Sequence, residues 1–184
     1  MIVLGIAASL RRESWNRKLL HQAFGILRDK EIEVEELDLK PIPMYNRDVE
    51  EVGFPKAVLD FRHAIQKADA VLIASPEYNN SMPGVLKNAI EWASRRPNVL
   101  DGKVMFVMCT TSGRSGGSRM HMHLSYSLEA EGAWVLHQPK VLLPNVTDIL
   151  AADGSIIDPS VSELLDQAMV RLLQMARILG QQSS

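Results

Sequence analysis

Cysteine is almost missing from this chain: Cys109 stands alone among 184 residues. A lone thiol forms no internal disulfide, and such sparing use fits a reducing compartment. A surplus of either charge is missing too. The formal net charge of −2 gives neither nucleic acid nor an anionic membrane surface an electrostatic hold. No apolar run approaches the roughly 20 residues that span a bilayer. The opening run, Met1–Leu10, is short and is followed rather than preceded by Arg11 and Arg12. A secretory or twin-arginine signal places its positive charge first, so this run reads as a core strand of a cytoplasmic protein.

Familiar chemical signatures are absent as well. No G-x-G-x-x-G follows the first apolar run, where Gly5 and Ala8 stand in the wrong pattern. No G-x-x-x-x-G-K-[ST] occurs, since Gly113, Gly116 and Gly117 lack the lysine. These gaps argue against a Rossmann dehydrogenase and a P-loop NTPase. Ser14 and Ser81 lie outside any G-x-S-x-G elbow, so neither reads as a nucleophile. His121 and His123 are two apart on a helical stretch and point to different faces, which is a poor metal pair. Cys109 ends an apolar run and reads as a packed small hydrophobe rather than a redox thiol. No metal site is expected.

What is present is regular. The chain is 46% hydrophobic and 23% charged, an ordinary globular balance, and its length suits a single domain over 1–184. Ile2–Ala7 is near-continuously apolar, as in a parallel strand covered on both faces. A helix follows with Leu19, Leu20, Ala23 and Leu27 inward. Residues 32–39 alternate as a strand nearer the sheet edge, and residues 41–55 form a long connection broken by Pro41, Pro43, Gly53 and Pro55. A helix over about 57–67 leads to a third strand at Val71–Ala74. Pro83 then opens a helix with Val85, Leu86, Ala89 and Ile90 on one face. Val104–Cys109 is a fourth buried strand, and Met120, Leu124 and Leu128 mark the next helix, with Gly132 as its stop. A fifth strand starts over 133–136, residues 140–158 are irregular, and a last helix runs over about 160–179. Strand and helix alternate throughout, so the class is α/β with a parallel sheet.

In such a sheet the loops after strands one, three and four emerge at the carboxyl edge, where open α/β sheets bind ligands. The first loop offers Ser9, Arg11, Ser14 and Asn16 at a helix amino end, a donor set suited to a phosphate monoester. Taken alone, this loop is better explained by an ordinary N-cap at Ser14 beside a solvated Arg11. In the second loop, a capping Ser81, Pro83 at the first helical position and a turn at Asn79-Asn80 are ordinary. Pro76-Glu77-Tyr78 is not, because it crowds a ring and an acid into a tight turn. In the third, Ser112, Gly113, Gly116 and Gly117 let the backbone approach a flat ligand closely.

Three segments, A-S-L-R-R-E-S-W-N, P-E-Y-N-N-S-M-P-G-V-L-K-N-A-I-E-W and Ser112–Gly117, resemble the NAD(P)H-dependent FMN reductase family. The likeness extends from Ile2 to about Leu143; Ala8 departs from the glycine that many relatives carry there. The resemblance implies a flavodoxin-like three-layer sandwich, with a five-stranded parallel sheet in the order 2-1-3-4-5 and helices on both faces. It implies a non-covalent FMN and NAD(P)H as co-substrate. Ser9, Arg11, Ser14 and Asn16 would hold the FMN phosphate, and Pro76, Glu77, Tyr78 and Asn79 would line the isoalloxazine and ribityl chain. Ser112, Gly113 and Arg114 would close the other side. Backbone N–H groups around Glu77, Tyr78 and Gly113 would hydrogen-bond the ring, with no side-chain acid or base. Hydride would pass to the flavin, then electrons to a quinone, azo, metal-ion or flavin acceptor by a ping-pong course. The competing class is a flavodoxin-type electron carrier without turnover of its own, which the near-neutral charge and the site-edge arginines disfavour. A homodimer or homotetramer is also implied, with Trp92, Arg95, Arg96 and the 41–55 segment (Tyr45, Asn46) as candidate interface.

Overall fold

The apolar runs become the middle of a sheet and the amphipathic stretches its two covers. In chain order the elements are β1 (Ile2–Ala7), α1 (Trp15–Asp29), β2 (Glu33–Leu37), α2 (Arg47–Val52), α3 (Lys56–Lys67) and β3 (Ala70–Ala74). There follow α4 (Gly84–Ala93), β4 (Val104–Thr110), α5 (Ser118–Ala130), β5 (Trp134–Leu136), β6 (Leu142–Leu143) and α6 (Pro159–Gln182). The structure, a computed structural model, describes residues 1–182. The expected domain span of 1–184 runs past them to Ser183 and Ser184, which lie outside the described residues.

All strand pairs are parallel, in the order β2-β1-β3-β4-β5. Successive strand residues point to opposite faces, so the sheet has two cores. On one side α1 and α6 bring Leu19, Leu20, Phe24, Leu165 and Leu172 onto Val3, Leu72 and Phe106. On the other, α3, α4 and α5 bring Phe61, Ile65, Leu86, Leu124 and Leu128 onto Leu4, Ile73 and Met105. This is a three-layer flavodoxin-like sandwich. Its α1 layer lies unusually close at one point. A Cβ at Gly5 would sit 2.2 Å from Phe24 Cζ, so only glycine admits that ring against β1. No helix among the described residues is long and apolar enough to cross a membrane.

Three details depart from the expectations. First, the sheet has a sixth strand, not five in all. β5 pairs only with Val104–Phe106, and β6 then pairs Leu142 and Leu143 with Cys109 and Thr110. Pro139 has no N–H to give a ladder, so the chain leaves β4 and returns to it. Second, the 41–55 connection contains α2, capped by Asn46, whose side chain accepts the Asp48 N–H at 2.9 Å. Third, Trp92 is fully buried inside its own chain and cannot belong to an interface. Its indole N–H donates to the Pro43 carbonyl at 2.8 Å, with Tyr45 and Phe54 edge-on at 5.0 and 5.9 Å. That aromatic corner is what fastens the 41–55 segment.

Candidate functional site

β1, β3 and β4 end side by side, and their following loops form one cleft at the carboxyl edge. Ala8 extends the β1 ladder by one bond, its N–H to the Ala74 carbonyl at 2.9 Å. That leaves Ser9 almost buried, with its Oγ accepting the Arg11 N–H at 3.4 Å. Ser14 caps α1, its Oγ accepting the Arg17 N–H at 3.2 Å. The N–H groups of Trp15 and Asn16 head the helix, where no intrahelical acceptor exists, and the dipole there favours an anion. The Asn16 side chain faces elsewhere. Its amide donates to the Thr110 carbonyl and accepts the Thr110 N–H, both at 2.9 Å, tying α1 to the end of β4. What Asn16 presents to a ligand is its backbone.

After β3 the chain makes a two-residue hairpin. Tyr78 and Ser81 exchange backbone bonds at 2.9 and 3.0 Å, and Asn79 and Asn80 both have positive φ (48° and 62°). This is a type I′ turn, which asparagine tolerates. The Tyr78 N–H is therefore taken by Ser81 and is not available to a flavin ring, contrary to the expectation above. Ser81 does not cap α4, whose N-cap is Pro83. Its Oγ instead meets His123 Nδ1 at 3.0 Å.

Glu77 is the least foreseeable residue of the site. Its carboxylate accepts the N–H groups of Arg119 and Met120 at 3.0 and 3.1 Å and the Ser115 hydroxyl at 3.2 Å. The Arg119 guanidinium adds a contact of 3.4 Å. α5 begins at a left-handed Gly117 with no capping side chain, so Glu77 caps it from another loop. Burial pushes its pKa up, but the bonds from Met120, Ser115 and Arg119 outweigh that and hold it below the ordinary value. Beneath it the Cys109 thiol is pushed up to about 12, first by burial and then by the Glu77 charge. It is no thiolate nucleophile.

The third loop divides. Ser112 lines the cleft, whereas Gly113, Arg114 and the turn residue Asn79 do not. Gly116 and Gly117 serve packing rather than a ligand: a Cβ there would stand 2.9 Å from the Leu142 carbonyl oxygen and 2.2 Å from Cys109 Sγ. The cleft thus gathers Ser9, Arg11, Ser14, Asn16, Pro76, Glu77, Tyr78 and Ser112, and adds Trp15, Thr110 and Thr111, which the sequence reading passed over. Trp15 follows the cap directly, Thr110 ends a buried strand and Thr111 follows it, so position alone could have flagged them. Among the described residues no group of three or more His, Cys, Asp or Glu is placed to hold a metal.

One end of the cleft offers hydroxyls, a guanidinium and helix-start N–H groups, and its single carboxylate is satisfied by other donors. That chemistry fits a phosphate monoester. The remaining walls are Pro76 and the Thr110–Ser112 segment at the end of β4. A flavodoxin-like fold with such a crevice at its switch point defines the FMN-binding class.

Comparison with known proteins narrows the class. The family model described as NADPH-dependent FMN reductase matches residues 1–148. An NAD(P)H-dependent FMN reductase of Pseudomonas aeruginosa is 41% identical over 180 residues, covering 97% of each chain. A quinone reductase of Escherichia coli K12 is 35% identical over 172 residues, covering 90% of this chain and 85% of its own. Among solved structures, the flavoenzyme NAD(P)H:acceptor oxidoreductase FerB of Paracoccus denitrificans superposes with a TM-score of 0.88 at 30% identity, covering 96% of this chain and 97% of its own. The chain belongs to the NADPH-dependent FMN reductase family. It is accordingly an oxidoreductase with FMN as cofactor and NAD(P)H as reductant, and the carrier alternative is set aside.

Proposed function

We propose that this protein oxidises NAD(P)H and reduces a quinone-type acceptor in two half-reactions at a single cleft. The observation that carries the proposal is the meeting of the α1 amino end with the β3 and β4 loops around that cleft. Ser9, Ser14, Arg11 and the helix-start N–H groups of Trp15 and Asn16 hold the FMN phosphate by directed, charge-assisted bonds. Pro76 and the Tyr78 hairpin would wall one side of the ring and Ser112 the other, while Gly113 and Arg114 follow Ser112 outside the cleft lining. Asn79 shapes the hairpin rather than touching the ligand. When bound, FMN would supply the redox chemistry between nicotinamide and acceptor. The protein contributes position and a dry, donor-rich lining, and no side-chain acid or base is required.

One face serving both substrates predicts ping-pong kinetics, with parallel double-reciprocal lines for NAD(P)H against a benzoquinone. Intersecting lines would refute the shared face. Protein that binds no FMN and oxidises neither NADH nor NADPH in its presence would end the reading altogether. The names of the quinone-reducing relatives support quinone as acceptor, and azo dyes, metal ions and free flavin belong in the same screen. The reading treats the chain as one FMN-binding domain in the cytoplasm, supported by its single buried cysteine. It also takes the working form as a homodimer or homotetramer. Exposed Met44, Val52, Met122 and Tyr126 support such an assembly, and light scattering after gel filtration tests it.

A further inference from the structure

Resting on the FMN reading, we propose that the Tyr78 hydroxyl acts at the phosphate end of the site, where it holds Ser9 as a committed donor to the phosphate. Tyr78 Oη lies 3.2 Å from Ser9 Oγ, across 69 residues of sequence. The backbone that carries the ring is fixed, although Tyr78 as a whole is 44% exposed. Its backbone is clamped by the two bonds to Ser81, and Ser81 is in turn held to α5 through His123 Nδ1 at 3.0 Å. The side chain therefore reaches from the hairpin to the first loop, along the wall of the cleft.

Counting protons gives the bond its direction. A serine hydroxyl has one proton and two lone pairs. One lone pair of Ser9 Oγ already accepts the Arg11 N–H. A phenol is a stronger acid than an alkyl alcohol, so Tyr78 is the better donor of the pair and fills the second lone pair. The only direction left for the Ser9 proton is toward a ligand oxygen. Ser9 is otherwise buried, and a ligand seated in the cleft would displace the water that its hydroxyl meets there. A donor chain of Tyr78 to Ser9 to phosphate oxygen is polarised along its length and strengthens with the anion's charge. Tyr78 is thus a positioning residue for FMN over unphosphorylated flavin, and its ring contributes less to the isoalloxazine than its neighbourhood in the sequence suggests.

The test compares two flavins. Wild type, Tyr78→Phe, Ser9→Ala and the double variant are titrated with FMN and with riboflavin, following quenching of flavin fluorescence, with thermal unfolding as the control for folding. Tyr78→Phe is expected to raise the FMN Kd roughly five- to tenfold and to leave the riboflavin Kd unchanged. In the Ser9→Ala background the same change is expected to add nothing. Equal weakening of both flavins would place Tyr78 at the ring and overturn the proposal, as would an unaltered FMN Kd. A full Tyr78→Phe effect without Ser9 would show direct contact with the phosphate and overturn the relay. Wild type that binds neither flavin would instead remove the FMN reading, and this inference with it.

Discussion

Glu77 is the residue whose removal tests most of the reasoning at once. Its carboxylate stands in for the N-cap that α5 lacks, and its side chain is only 9% exposed. Glu77→Ala strips the acceptor from the Arg119 and Met120 N–H groups. A lost cap costs about 1 kcal/mol, and a charged hydrogen bond is worth about 1.5–3 kcal/mol net. Because the two terms overlap, the expected destabilisation is about 3 kcal/mol, or about 6–12 °C in Tm for a chain of this size. Glu77→Gln keeps one acceptor oxygen and loses the charge, so about 1–1.5 kcal/mol is expected. The pH dependence has a definite sign. The folded pKa lies below the ordinary 4.5, so the stabilisation is complete above that value and is lost as pH falls through the folded pKa. Thermal unfolding of the flavin-free protein, followed by circular dichroism, should show a constant gap between wild type and Glu77→Gln from about pH 6 to 8. The gap should then shrink below the ordinary value. An unaltered Tm for Glu77→Ala, or a gap that persists undiminished to about pH 3, would refute the capping account.

Two further changes probe the layer beneath the site. Gly117→Ala places a Cβ 2.2 Å from Cys109 Sγ at a φ of +84°, and steric overlap with left-handed strain should cost about 2–4 kcal/mol. Adding Cys109→Ala should restore part of that loss, because the sulfur goes but the Cys109 Cβ at 2.8 Å and the φ remain; Gly117→Ala that unfolds with wild type would contradict the packing. Cys109 itself, buried and with its thiol near pKa 12, should resist iodoacetamide at about pH 8 while folded and react fully in urea. Mass spectrometry reads this directly, and rapid labelling of native protein would show that the β4 end opens.

The α/β class, the two-sided burial of β1, β3 and β4, and the inward faces of α1 and α5 were all legible in the chain. Each depends on a period of two or of about 3.6 residues. The Ser14 cap and the carboxyl-edge loops that hold most of the cleft were legible too, because caps and strand ends are local features. Gly132 as the stop of α5 belongs with them, at a φ of +85°. Which distant group each polar side chain meets follows instead from how the layers pack. The Asn16 side-chain amide meets Thr110, 94 residues away, and leaves only its backbone N–H for the cleft. Gly116 and Gly117 make room for Leu142 and Cys109, and Trp92 closes its own chain instead of meeting another. The pairing of β6 with the far half of β4, and the reach of Tyr78 to Ser9, are of the same kind. A hydrogen bond forms only when two groups come within about 3 Å. For residues this far apart, that distance is set by how the layers pack over the sheet, which no local spacing in the chain records.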